Sequence, residues 1–169
     1  MEIKYQTGLR DNPVIKPTTG IMATGIDFSF TLEPLTIDEI IHLEINYNSG
    51  NPFPTSLREL LSLAGKDCYV LDYSTFDSQI DLQNEVRADL MEFKYNIARP
   101  FFVLDVHYGT IPFLFVYLDQ PTDDPPVYMA ELDENIHGKP KMEIRWVNFS
   151  LSSFINDRVE YLKAGGNPF

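Results

Sequence analysis

The chain of 169 residues is poor in several things that would point to particular chemistries. It has one cysteine, Cys68, so an intrachain disulfide and a cysteine-rich zinc site are both excluded, and a reducing compartment is the natural home. It is short of positive charge: 13 Lys and Arg stand against 25 Asp and Glu, a net charge of −12. Such a field repels nucleic-acid phosphates and anionic lipid headgroups and attracts a basic protein. No apolar run approaches the roughly 18 residues of a membrane span, and the Met1–Gln6 start lacks the basic and apolar stretches of a secretory signal. The expectation is a cytoplasmic protein that binds neither membrane nor nucleic acid directly.

Catalytic and cofactor motifs are equally scarce. No glycine-rich loop of the Walker or dinucleotide type is present to hold a phosphate on backbone amides, so no cofactor is expected. His42, His107 and His137 are scattered, with no helical His pair for a metal. Gly-x-Ser-x-Gly is missing, and nothing around Cys68 marks a cysteine nucleophile. One enzyme-like pair remains, Asp105 and His107. Two positions apart on a strand, they would share a face where a carboxylate could orient an imidazole. A strand end near solvent is the commoner place for such a pair and accounts for them better, and the reading is that the chain is not an enzyme.

What is abundant is core material: 44% hydrophobic and 13% aromatic residues, enough for one packed domain over residues 1–169. Residues 1–25 show no period and are read as an irregular N-terminal segment. Ile26, Phe28, Phe30 and Leu32 alternate with polar residues as in a half-buried strand, which Glu33-Pro34 ends. Thr36-Ile37-Asp38-Glu39 is a capping box opening a helix whose apolar face is read as Ile37, Ile41 and Ile45. Ser56-Leu57-Arg58-Glu59 repeats the box before Leu57, Leu60, Leu61 and Ala64, with Gly65 as the stop. Cys68–Leu71 reads as a short strand.

A long helix is expected over 77–97, with Leu82, Val86, Leu90, Phe93 and Ile97 as its apolar stripe. Runs at 101–108, 113–118 and 127–132, with a further one at 143–149, suggest an antiparallel meander. Leu151, Ile155, Val159 and Leu162 mark a last helix that Gly165-Gly166 ends. The fold class is α+β: a single antiparallel or mixed sheet with helices packed around it.

The candidate binding residues are acidic. Asp77, Asp81, Glu85, Asp89 and Glu92 recur at helical spacing within an arc of roughly 120°, beside the apolar stripe. Like charges four apart disfavour a helix slightly unless packing, salt or a partner offsets them, so the stripe is either a solvated face or a surface for a basic partner. Asp123 and Asp124 in a proline-rich loop, and Glu131, Asp133 and Glu134 after the third meander strand, complete the set.

The order of these elements resembles the SUKH superfamily over about residues 36–163. The matching residues are Leu35–Glu44, then Phe53–Leu61 ending at Ala64-Gly65, then Phe113–Asp119 and Pro126-Val127-Tyr128, and Ser153-Phe154-Ile155 as the opener of the last helix. The family's second helix usually ends in Asn-Gly where this chain has Ala64-Gly65, and the 77–97 helix is an elaboration. The superfamily includes bacterial immunity proteins and fungal regulators of cell-wall synthesis. The resemblance implies an immunity-type protein that neutralises a cognate toxin, often a basic nuclease, by binding it. The alternative it leaves open is a non-catalytic scaffold or regulatory protein binding an endogenous partner. The family carries over no catalytic residue.

Overall fold

A computed structural model describes Leu9 and residues 32–73, 76–107, 109–134 and 140–166. The strand reading over 26–31 and all of the 1–25 segment except Leu9 lie outside the described residues. The elements run β1 (Leu32–Glu33), α1 (Ile37–Tyr47), α2 (Thr55–Ala64), β2 (Asp67–Cys68), α3 (Gln79–Glu92), β3 (Phe101–Val106), β4 (Phe113–Tyr117), β5 (Val127–Glu134), β6 (Pro140–Asn148) and α4 (Leu151–Lys163). The fold is α+β, and its main sheet is the antiparallel meander β3-β4-β5-β6. In place of one sheet there are two, because β1 and β2 pair only with each other as a two-residue antiparallel ladder. Cys68 belongs to that ladder while Tyr69 and Val70 turn away, so the apolar run there packs as a turn and not as a strand.

The main sheet is apolar on both faces. Phe102, Leu104, Leu114, Val116 and Val127 join the core built with α1, α2 and α4. Phe101, Val103, Phe113, Phe115 and Ala130 form the opposite core with Leu82, Val86 and Leu90 of α3. The β3–β4 register shifts between Val103 and Asp105. A bulge of this kind breaks strict alternation, and Leu104 lies in the first core while Val103 and Val106 both lie in the second.

Helix ends explain where sequence reading and structure part. Thr36 and Glu39 form the full capping box. Ser56 does not cap α2: the N-cap is Pro54, with no side-chain bond, and Ser56 is buried inside the first turn. Gly65 does end α2, but at φ −76°, so its backbone is open to any residue. Glycine is needed because a Cβ there would sit 2.6 Å from the Leu61 carbonyl oxygen and 2.7 Å from Leu35 Cγ. α3 is shorter than the 77–97 expected. Ser78 caps its start, and it ends at Glu92 because Lys94 takes a left-handed φ of 60°. The Lys94 and Tyr95 amides then donate back to Met91 and Leu90 carbonyls (3.0 and 2.7 Å), a Schellman closure without the usual glycine. Phe93 is consequently exposed, and Ile97 is buried from beyond the helix. α4 begins two residues earlier than Ser153, at Leu151 behind the Ser150 N-cap. Gly165, at φ 88°, closes it as expected.

Candidate functional site

Asp105 and His107 are not an acid–imidazole pair. Asp105 is 1% exposed, and its carboxylate faces Arg158 of α4 at 2.5 Å. It also accepts the Asp72 amide at 2.7 Å. Arg158 in turn donates to the Val70 carbonyl at 2.8 Å and lies over the Phe154 ring. Burial pushes the Asp105 carboxyl up to about 6, against the opposing pull of Arg158 and the Asp72 amide. It bolts β3 to α4 and to the 70–72 turn. Cys68 is buried, and desolvation raises its thiol to about 12, the opposite of an activated nucleophile. Among the described residues, no three His, Cys, Asp or Glu side chains cluster as a metal site, and no helix is long and apolar enough to cross a membrane.

The acidic candidates divide by what they already hold. Asp81 closes the first turn of α3, its amide donating to Ser78 Oγ (3.2 Å) and its carboxylate accepting from the same hydroxyl (2.7 Å). Asp89 accepts from the Thr110 hydroxyl of the β3–β4 turn. Asp123 accepts from Thr55 Oγ1 (2.9 Å), and its carbonyl takes the Ser56 amide. Asp124 binds the Ser152 amide (2.9 Å) and hydroxyl at the start of α4. Glu131 pairs with Arg145 across the sheet at 2.7 Å. Asp133 and Glu134 end β5 in register with Lys141 and Pro140, and their side chains lie outside the described residues. Asp77 precedes the helix it was expected to begin. Asp77, Glu85 and Glu92 are exposed and, among the described residues, bond to no partner.

The surface that sequence reading missed is on α1. Ile37, Ile41 and Ile45, expected to face the core, are 63%, 41% and 57% exposed. The core instead takes Ile40, Leu43 and the aliphatic stem of Glu44. At about 100° per residue, the two rows lie side by side, and the apolar arc of α1 is wider than the core can cover. The carboxylate of Glu44 is held by Arg58 (3.0 Å) and the Phe53 amide (2.8 Å), which fixes this rotation against α2. A shallow cleft of about 290 Å³ between Ile37, Ile40, Arg58 and Ser62 borders the ridge. At its other end α1 touches α3: the Tyr47 hydroxyl donates to Asn84 Oδ1 at 2.9 Å. An apolar ridge and the exposed acids of α3 therefore sit on adjoining helices. The signal was in the sequence as Leu43 and Tyr47, which fit a second row as well as the isoleucines fit the first.

No family model matches the chain, and no curated protein or solved structure matches it.

Proposed function

We propose that this chain is a protein-binding module of the immunity type, which neutralises a basic toxin domain, such as a nuclease, by occupying it. The observation that carries the reading is the exposed Ile37–Ile41–Ile45 ridge on an acidic molecule, next to the helix that bears Asp81 and Glu85. Apolar anchors at i, i+4 and i+8 on one helix give a partner contact that desolvates well. The surrounding negative charge steers a phosphate-binding, positively charged surface toward it and speeds association. The SUKH-like order of elements supports the same reading.

The test is co-expression with the toxin encoded beside this gene in its host. Cells should survive with the unaltered chain and die with Ile41→Asp, which charges the middle of the ridge without touching the core. Substituting Glu85 and Glu92 by Gln should slow association and flatten its salt dependence, with little effect on dissociation. Survival unchanged by Ile41→Asp, or a stoichiometric partner that is a housekeeping protein, would overturn the immunity reading; the latter would favour a scaffold.

A further inference from the structure

The two edges of the main sheet are finished differently, and the difference points to a second surface. β3 is an edge strand whose outward backbone groups are taken by side chains of α3 and by one backbone carbonyl. Gln83 of α3 donates to the Val103 carbonyl (2.9 Å) and accepts its amide (3.0 Å), so one carboxamide stands where a neighbouring strand would. Arg87, one turn on, donates to the Phe101 carbonyl at 2.8 Å. The Asp72 carbonyl takes the Val106 amide at 3.1 Å. β6, at nine residues the longest strand, is the other edge. Among the described residues, nothing beyond β5 bonds to its backbone. Ile144 and Trp146 on it are 39% and 58% exposed. A long, unprotected edge with apolar side chains is a template for another strand.

The sequence of β6 says which strand. Ile144 and Trp146 stand opposite Ala130 and Tyr128, and Met142 packs with the same core, so the even residues share the face on which α3 lies. The odd residues Lys141, Glu143 and Arg145 line the other face and alternate in charge. An antiparallel pairing of two β6 strands about a twofold axis at Ile144 sets Glu143 against Arg145 of the second copy, twice. It also sets Met142 against Trp146, twice, and Ile144 against itself. Moving the axis one residue, to Glu143 or Arg145, sets like charges against each other. Arg145 already holds Glu131 at 2.7 Å, and its five donors leave room for a second carboxylate. Such a contact is isologous, closes on itself and removes the open edge.

We propose that β6 is a self-association edge, through which two copies of the chain join their meanders into one continuous antiparallel sheet with its twofold axis at Ile144. The surface is separate from the α1 ridge, and the proposal does not depend on the immunity reading.

Sedimentation velocity over a concentration series, with the emission of Trp146, the single tryptophan, as a second readout, tests it. The full chain should dimerise with rising concentration, with a blue shift as Trp146 is covered. Glu143→Arg and Arg145→Glu each set like charges across both symmetric pairs and should weaken self-association by about tenfold or more. An equimolar mixture of the two variants should recover dimer, because one copy then carries only positive charge at positions 143 and 145, the other only negative, and opposite charges meet across both pairs. Circular dichroism checks that both variants fold. A chain that stays monomeric to several hundred micromolar would overturn the proposal, as would a dimer insensitive to the single reversals or not restored by mixing. Failure here leaves survival in the toxin assay untouched, whereas Ile41→Asp should not alter sedimentation.

Discussion

Among the described residues, one edge of the main sheet is closed by a helix laid along it and the other is left open, though both belong to one meander. At β3 the closing groups are polar side chains buried at the boundary of α3. Gln83 is fully buried and meets both bonding groups of Val103. Arg87 sits between the Tyr47 and Phe101 rings, its guanidinium 4.5 and 4.3 Å from their centroids. Burial lowers its proton affinity to about 10, still charged at neutral pH. At β6 the charged Lys141, Glu143 and Arg145 and the apolar Ile144 and Trp146 face water. The contrast shows two ways to treat an edge: satisfy it permanently with side chains at fixed geometry, or leave it for a strand from outside.

The largest effect is expected at Gln83. Gln83→Leu keeps the volume but strands a buried amide and a buried carbonyl, a cost of about 4 kcal/mol for two unsatisfied groups. Urea unfolding should show that loss, while Ile144→Lys on the open edge should shift the same midpoint by less than about 0.5 kcal/mol when read in dilute protein. A similar cost at both positions would mean the edges do not differ.

A smaller effect sharpens the β3 side. Asp105 holds the Asp72 amide, and Asp72 in turn supplies the carbonyl that caps Val106. Its carboxyl is raised from 3.8 to about 6, chiefly by burial. A raised acid stabilises the fold fully below pH 3.8, and that contribution is lost as pH rises through about 6. Glu39 and Asp119, held below the usual range by hydrogen bonds from Thr36 and Arg99, act in the opposite sense. The readout is therefore a difference: relative to Asp105→Asn, the native chain should lose on the order of 3 kcal/mol between pH 4 and pH 7. A difference that is flat with pH would remove the buried carboxylate from the account.

Much of the fold was legible where local chemistry and long-range packing agree. The meander declared itself through the runs at 101–108, 113–118 and 127–132, which hold the strands Phe101–Val106, Phe113–Tyr117 and Val127–Glu134, and the last helix through Leu151, Ile155, Val159 and Leu162, because the apolar residues of these elements are largely buried whichever partner they meet. Legibility failed where several arrangements fit one pattern. The isoleucines of α1 and the row Ile40, Leu43 and Tyr47 are both apolar, and tertiary contacts choose between them: the core that Ile40 and Leu43 join, and the bonds of Glu44 to Arg58 and the Phe53 amide. The end of α3 depends on Lys94 adopting a conformation that its residue type does not advertise.

The candidate site fared less well for a related reason. Acids were chosen by helical spacing or by their place in a loop, yet Asp89, Asp123 and Asp124 are held by Thr110, Thr55 and Ser152, residues that only the fold brings near. The role of Asp81 was readable, since Ser78-Gln79-Ile80-Asp81 has the form of a helix start. Gln83 and Arg87, one turn apart beside Leu82 and Val86, carried a signal too: polar residues bordering a buried stripe often serve the backbone they are packed against.

Amide hydrogen exchange, resolved by residue and run at low and high protein concentration, tests the difference between the edges directly. The Val103 and Val106 amides of β3 should exchange slowly at every concentration, and the outward amides of β6 should exchange fast in dilute protein and slow as concentration rises. Fast exchange at Val103, or outward β6 amides already protected in dilute protein, would contradict the account.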